Sequence, residues 1–211
     1  MLPSAIPQFA KYKYVRTFVA NHLDMQFADI NKMLTMVGFN FVAANFLCDI
    51  VSGVSVSLYL PAVTTRIRNG RREPFRDGDY FKALLRQYYP WEPKERKARK
   101  QTILYQVLRC PMAHALGLHE PPPQKMGISK GSPLTPDQLT EAAFSDTRPA
   151  FIPLAMTRSA KSQKWIFSVE GFWWGVIAML KALANDANQM LKADTRFRAK
   201  TYIHTRPTSV I

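Results

Sequence analysis

Between residues 33 and 63 the chain carries a single charge, Asp49. A stretch this apolar and this long has two homes, a protein core or a lipid bilayer. Asn40, Asn45, Asp49, Ser52, Ser55 and Ser57 interrupt it, and lipid does not accept that many polar groups unless neighbouring helices cover them. The expectation is therefore one long helix over 27–59, bent at Gly38 or Gly53, ended by Pro61 and buried on most sides. A membrane-associated helix is the alternative. Asn45, Asp49 and Ser52 stand at i, i+4 and i+7, so they draw one polar line along an apolar rod. That line must meet water, a partner helix or a site.

The chain has 211 residues, enough to bury a core without staples, and 47% of them are hydrophobic against 21% charged. These proportions exclude a disordered chain and a collagen-like repeat. Two cysteines, Cys48 and Cys110, both lie in apolar stretches. They exclude a disulfide framework and a cysteine-rich zinc site, and suit a cytoplasmic location. The first residues lack a signal-peptide layout, because Pro3 and Pro7 break the apolar run and the charges follow it. The expectation is a single helical domain with its core over 27–191, a lead-in over 1–26 and a basic tail over 192–211.

Along the chain, 64–79 reads as a basic loop punctuated by Gly70, Pro74 and Gly78. Asp79 is placed to cap a helix over 80–89, with Phe81, Leu84, Leu85 and Tyr88 on one face and Pro90 as its stop. A further helix starts near Pro93, basic in its first half and apolar at Leu104, Tyr105, Leu108, Met112 and Ala115, with a kink at Pro111. Residues 120–133 read as loop. Thr135, Pro136 and Gln138 spell a capped helix start, opening a helix to about residue 144. Two β-leaning runs over 150–169 suggest a hairpin. The last helix spans 170–191, with Phe172, Val176, Met179, Leu180, Leu183 and Ala187 inward. The expected fold class is all-α: a four-helix-bundle-like core with a small irregular or β-hairpin insertion near 150–169.

Lys and Arg number 29 against 15 Asp and Glu, a formal charge of +14. The excess is concentrated in 61–130, where 15 basic side chains face 6 acidic ones. Such a field attracts polyanions: RNA, DNA or an anionic membrane. The candidate nucleic-acid contacts are Lys94, Arg96, Lys97, Arg99 and Lys100 on the basic helix, and Arg66, Arg68, Arg71 and Arg72 in the loop. A solvated helix face accounts for the first group equally well.

The sequence has no glycine-rich phosphate loop, no G-x-S-x-G elbow and no H-E-x-x-H. His114 and His119 are five apart with no carboxylate cluster beside them, so neither a metal nor another cofactor is expected. The informative segment is Arg109-Cys110-Pro111-Met112-Ala113-His114. An arginine set among apolar neighbours needs an anionic partner, such as Asp49 or a substrate phosphate. A buried ion pair and a satisfied core histidine are the bland account of Arg109 and His114. Asn45 and Asp49 either support a site there or form a helix–helix hydrogen-bond network.

This segment resembles the R-x4-6-H motif of the HEPN superfamily, four-helix proteins that include metal-independent endoribonucleases, and the helix order is similar over 27–191. Active members usually carry a polar residue directly after the arginine, where this chain has Cys110. The resemblance implies an RNA-acting protein in which the ribose 2′-OH is the nucleophile. His114 would be the general acid or base, and Arg109 would hold the phosphate. It also implies a homodimer whose motifs meet across the interface. It further suggests a toxin–antitoxin setting with a nucleotidyltransferase partner. Two other readings stay open: a non-catalytic helical module that binds RNA or regulates a protein partner, and a membrane-associated helical protein.

Overall fold

A computed structural model of the chain describes residues 2–92, 100–109, 126–159 and 164–205. Two short 3-10 turns, Pro3–Ala5 and Pro7–Lys11, each open on a proline, whose fixed φ suits a first turn. Continuous helix then runs from α1 (Lys13–Phe18) through a π-helical turn, Val19–Leu23, into α2 (Asp24–Leu34). Val15, Val19, Leu23, Phe27, Ile30 and Leu34 follow the helical period and are all buried. The lead-in is thus helical and part of the core. Asp194, far along the chain, accepts from the backbone N–H groups of Tyr14 and Val15 at 2.7 and 3.0 Å and so caps α1.

The long helix expected over 27–59 is broken. Gly38 and Phe39 both adopt left-handed backbone, with φ of +82° and +61°, and no helix continues through such a pair. The chain turns there and restarts as α3 (Asn40–Ser57). This helix buries Ala43, Ala44, Leu47, Cys48, Ile50, Val51, Val54 and Ser55, while Phe41, Val42, Asp49 and Val56 face outward. Among the described residues, α3 is the helix long and apolar enough to cross a membrane by length and composition.

The stretch read as a basic loop is a β-hairpin. Strand β1 (Thr65–Arg68) pairs antiparallel with β2 (Arg71–Pro74), and Arg68 stands opposite Arg71. Asn69 and Gly70, at φ of +50° and +73°, form the two-residue connection, and positive φ at both positions marks the turn that matches strand twist. Next comes α4 (Asp77–Tyr88), which starts earlier than expected. Asp79 sits inside its first turn and reaches back to accept from the Arg76 N–H at 3.0 Å.

A helical turn, α5 (Lys100–Ile103), passes into a π-helical turn, Leu104–Arg109. Strand β3 (Met126–Ser129) lies where a loop was expected. The Thr135 signal is met: α6 (Pro136–Phe144) opens with Thr135 Oγ1 accepting from the Gln138 N–H and Gln138 Oε1 accepting from the Thr135 N–H. Strands β4 (Met156–Arg158) and β5 (Trp165–Ser168) pair antiparallel, and β3 adds to β5 in parallel, giving the order β3-β5-β4.

The last expected helix is two. α7 (Val169–Asn185) ends at Asp186, which leaves helical geometry and accepts from the Gln189 N–H at 3.1 Å, starting α8 (Ala187–Thr205). The tail expected from residue 192 is therefore helical through Thr205. The α7 helix, rather than the 27–59 stretch, is the central rod. It is buried almost all round and packs against α3, α4, α6, α8 and β5. At Gly171 an added Cβ would stand 2.7 Å from the Ala155 backbone nitrogen, so the 153–155 backbone lies directly on this helix.

The all-α expectation is overturned. The chain is mostly helical but carries a two-stranded antiparallel sheet and a three-stranded mixed sheet, which makes it an α/β protein. One cause is local and one is not: Asn69-Gly70 closes one hairpin, and the distant strand β3 pairs with the β5 edge that a lone hairpin over 150–169 would have left open.

Candidate functional site

The polar line on α3 meets Arg109. Ser52 sits on the fourth residue after Cys48 and donates its hydroxyl to the Cys48 carbonyl at 2.9 Å, a common habit of serine within helices. Its oxygen is left to accept, and Arg109 Nε donates to it at 3.0 Å. Asn45 Nδ2 donates to Asp49 Oδ2 at 3.4 Å, and Arg109 Nη2 stands 4.0 Å from Asp49 Oδ1. The π-helical turn that carries Arg109 is fastened by Leu104 and Leu108, both fully buried, and packs on α3 and α4. Such turns displace side chains from the ordinary helical register and concentrate at functional sites.

The electrostatics leave the cation positioned rather than neutralised. The Asp49 side chain is 46% exposed and that of Arg109 21%, and an ion pair this loose and this wet binds weakly. Burial raises the Asp49 carboxyl above its ordinary value, and Arg109 offsets part of that rise. Asn45 Oδ1 is buried and has no hydrogen-bond partner among the described residues. Burial, reinforced by Asp49, pushes the Cys48 thiol far up despite the pull of Arg109, so it stays protonated and inert as a nucleophile. The arrangement can orient one guanidinium towards an anion from a half-open position. His114 and Cys110 lie outside the described residues.

The basic candidates separate into distinct groups. Arg68, Arg71 and Arg72 are exposed at the hairpin tip beside the exposed Ile67. Arg66, at the hairpin base, is held by Asp79 at 2.8 Å and Glu73 at 3.4 Å. Lys100 is turned inward: it is buried, donates to the Met156 carbonyl at 2.6 Å and lies over the Trp165 ring. It takes no place on the exposed basic surface. Lys94, Arg96, Lys97 and Arg99 lie outside the described residues.

Reading the sequence missed a polar cleft at the hairpin base. Arg66, Asp79, Lys82, Arg86, Gln101 and Thr102 line a space of about 250 Å³ between the hairpin, α4 and α5. The signal for it was present, since Asp79, Lys82 and Arg86 recur at helical spacing on one face of α4. Burial tends to raise the Asp79 carboxyl, but the Arg76 N–H, Lys82 and Arg66 outweigh that and hold it below its ordinary value. Among the described residues, no group of three or more His, Cys, Asp or Glu side chains is placed to hold a metal ion.

Comparison with known proteins adds no relative to this geometry: no family model matches the chain, and neither a curated protein nor a solved structure matches it.

Proposed function

We propose that the chain acts on RNA as a HEPN-like, metal-independent endoribonuclease, with Arg109 as the group that holds the scissile phosphate. The observation that carries this reading is the convergence of Arg109 on the polar line of α3. A guanidinium oriented by Ser52, loosely attended by Asp49 and still partly open to solvent suits a phosphate better than it suits a structural latch. The strands that change the fold class are separate elements. The candidate site lies between α3 and the Leu104–Arg109 turn, both helical.

In the proposed reaction a general base takes the proton from the ribose 2′-OH, and the 2′-oxygen attacks the adjacent phosphorus. The bond from phosphorus to the 5′-oxygen breaks, and a general acid returns a proton to that oxygen. The products are a 2′,3′-cyclic phosphate and a free 5′-OH. Arg109 supports the charge gathering on the non-bridging oxygens, a forked contact that lysine would make poorly. His114 is the proposed acid or base, on the resemblance of its motif. A homodimer would supply the second copy of each group.

A second reading, RNA binding without cleavage, is favoured by Arg68, Arg71 and Arg72, which stand exposed on a hairpin far in sequence from Arg109. RNA digestion in excess EDTA by the wild type, Arg109→Ala and His114→Ala proteins separates the two. The nuclease reading expects cyclic-phosphate ends from the wild type alone, while the binding reading expects no cleavage by any of the three.

A further inference from the structure

We infer that the cleft at the hairpin base seats one nucleotide of a single-stranded RNA chain, its phosphate on Lys82, Arg86 and Arg66 and its ribose 2′-hydroxyl on Gln101. The inference rests on the RNA-acting reading only for the kind of polyanion. The site itself stands on separate residues. Glu73 also pairs with Arg66, but of the residues lining the cleft three are cations and one, Asp79, is a carboxylate. That carboxylate is already engaged by Arg66, Lys82 and the Arg76 N–H. Arg86 is exposed and has no carboxylate partner among the described residues. The cleft thus holds an unneutralised positive charge in a concave, half-buried place, where it acts more strongly than on an open surface.

Two buried polar atoms beside the cleft have complementary needs. Among the described residues, Arg66 Nε is a donor without an acceptor and Gln101 Oε1 an acceptor without a donor, although Gln101 is only 8% exposed. Each unmade bond costs about 1–3 kcal/mol, which a ligand bringing the matching acceptor and donor would recover. Inorganic phosphate at neutral pH is chiefly an acceptor and answers the first need after a rotamer change that turns the buried Arg66 Nε to the cleft. A ribonucleotide answers both, because its phosphate accepts and its 2′-hydroxyl donates. Gln101, long and unbranched, meets that hydroxyl by a rotamer change. The 2′-hydroxyl is also the group by which a protein tells RNA from DNA.

The placement suits a strand that continues to the proposed cleavage site. Gln101 and Arg109 are eight residues apart on one helical segment, α5 and the π-helical turn that follows it. The exposed Arg68, Arg71 and Arg72 belong to the same hairpin whose Arg66 lines the cleft.

The test is binding of a labelled single-stranded RNA 12-mer and of the DNA of the same sequence, in EDTA, across a salt series. It is made in the His114→Ala background, so that cleavage does not deplete the probe. Lys82→Gln and Arg86→Gln are expected to weaken RNA binding about tenfold each and to lower the salt slope by about 0.7 each. Gln101→Met is expected to narrow the preference for RNA over DNA. Circular dichroism confirms that each variant is folded. Unchanged affinity and slope in both charge variants would overturn the inference, and so would a parent protein that binds DNA as well as RNA. Inorganic phosphate displacing the probe as effectively as unlabelled RNA would also overturn it, since the occupant would then be free phosphate. Cleft-dependent binding without cleavage by the wild type would remove the nuclease reading and leave this one standing.

Discussion

Arg109 Nε donates to Ser52 Oγ at 3.0 Å, across 57 residues of chain, while its Nη2 stands 4.0 Å from Asp49 Oδ1, too far for a close contact. The neutral hydroxyl fixes the direction of the guanidinium, and the carboxylate stays far enough away to leave its charge in use. Ser52→Ala should therefore cost about 0.5–1.5 kcal/mol of stability and lower the RNA cleavage rate more than it lowers RNA affinity. Denaturant unfolding and single-turnover cleavage check this. Equal losses of rate and affinity would mean that Ser52 does not orient Arg109 for chemistry.

Asp49 gives a pH signature of a definite sign. Its carboxyl is raised from the ordinary value of 3.8 chiefly by burial. The folded protein thus holds that proton more tightly than the unfolded chain does, and the group's contribution to stability falls as pH rises through the interval between the two values. Above that interval the ionised carboxylate opposes folding. Asp49→Asn is expected to melt no lower than the wild type at pH 7, and the difference should vanish below pH 3.8 as the wild type becomes protonated. A variant less stable than the wild type at pH 7 would show that the Arg109 pair outweighs desolvation.

The hairpin sets Arg68 directly opposite Arg71, and like charges in that position destabilise a strand pair. Arg71→Glu converts the repulsion into an attraction. It should raise stability by about 0.2–1 kcal/mol and at the same time weaken RNA binding at low salt. The gain is read by thermal melting and the loss by a salt-series binding assay. A variant that is stabilised but binds RNA unchanged would remove the hairpin tip from the RNA surface.

Gly171 lies where the central helix touches backbone. A Cβ there would meet the Pro153 carbonyl oxygen and, at 2.7 Å, the Ala155 nitrogen. Neither atom has a side chain's freedom to move aside. Gly171→Ala is expected to destabilise the fold by about 1–3 kcal/mol, whereas Gly53→Ala, with open space at its Cβ, should stabilise α3 by roughly 0.5–1 kcal/mol. Chemical denaturation of the two variants side by side decides the point.

What the sequence showed and what it hid divide along physical lines. The Thr135-Pro136-Gln138 start was legible because a helix cap is made by residues three apart. The line of Asn45, Asp49 and Ser52 was legible because helical spacing alone puts them on one face, and an arginine among apolar residues had to find such a line. The hairpin carried its own signal in Asn69-Gly70, but five arginines over 66–76 gave the stretch the look of a solvated loop. Strand β3 has only four residues and exists because β5 offers an edge, which no local pattern reveals. Lys100 looked like one more cation in a basic run. Its burial depends on the Met156 carbonyl and the Trp165 ring, both set in place by distant pairing. Gly38 announced a bend, and the left-handed Phe39 beside it turned the bend into a break.

The central claim is that Arg109 and His114 cleave RNA by way of its own 2′-hydroxyl. Digestion of a defined RNA in excess EDTA, with the fragment ends identified for the wild type, Arg109→Ala and His114→Ala proteins, tests it most directly. The account predicts 2′,3′-cyclic phosphate and 5′-hydroxyl ends from the wild type, with a rate loss of at least about a hundredfold in each variant. Fragments from all three proteins at similar rates, or 5′-phosphate ends from the wild type, would contradict it.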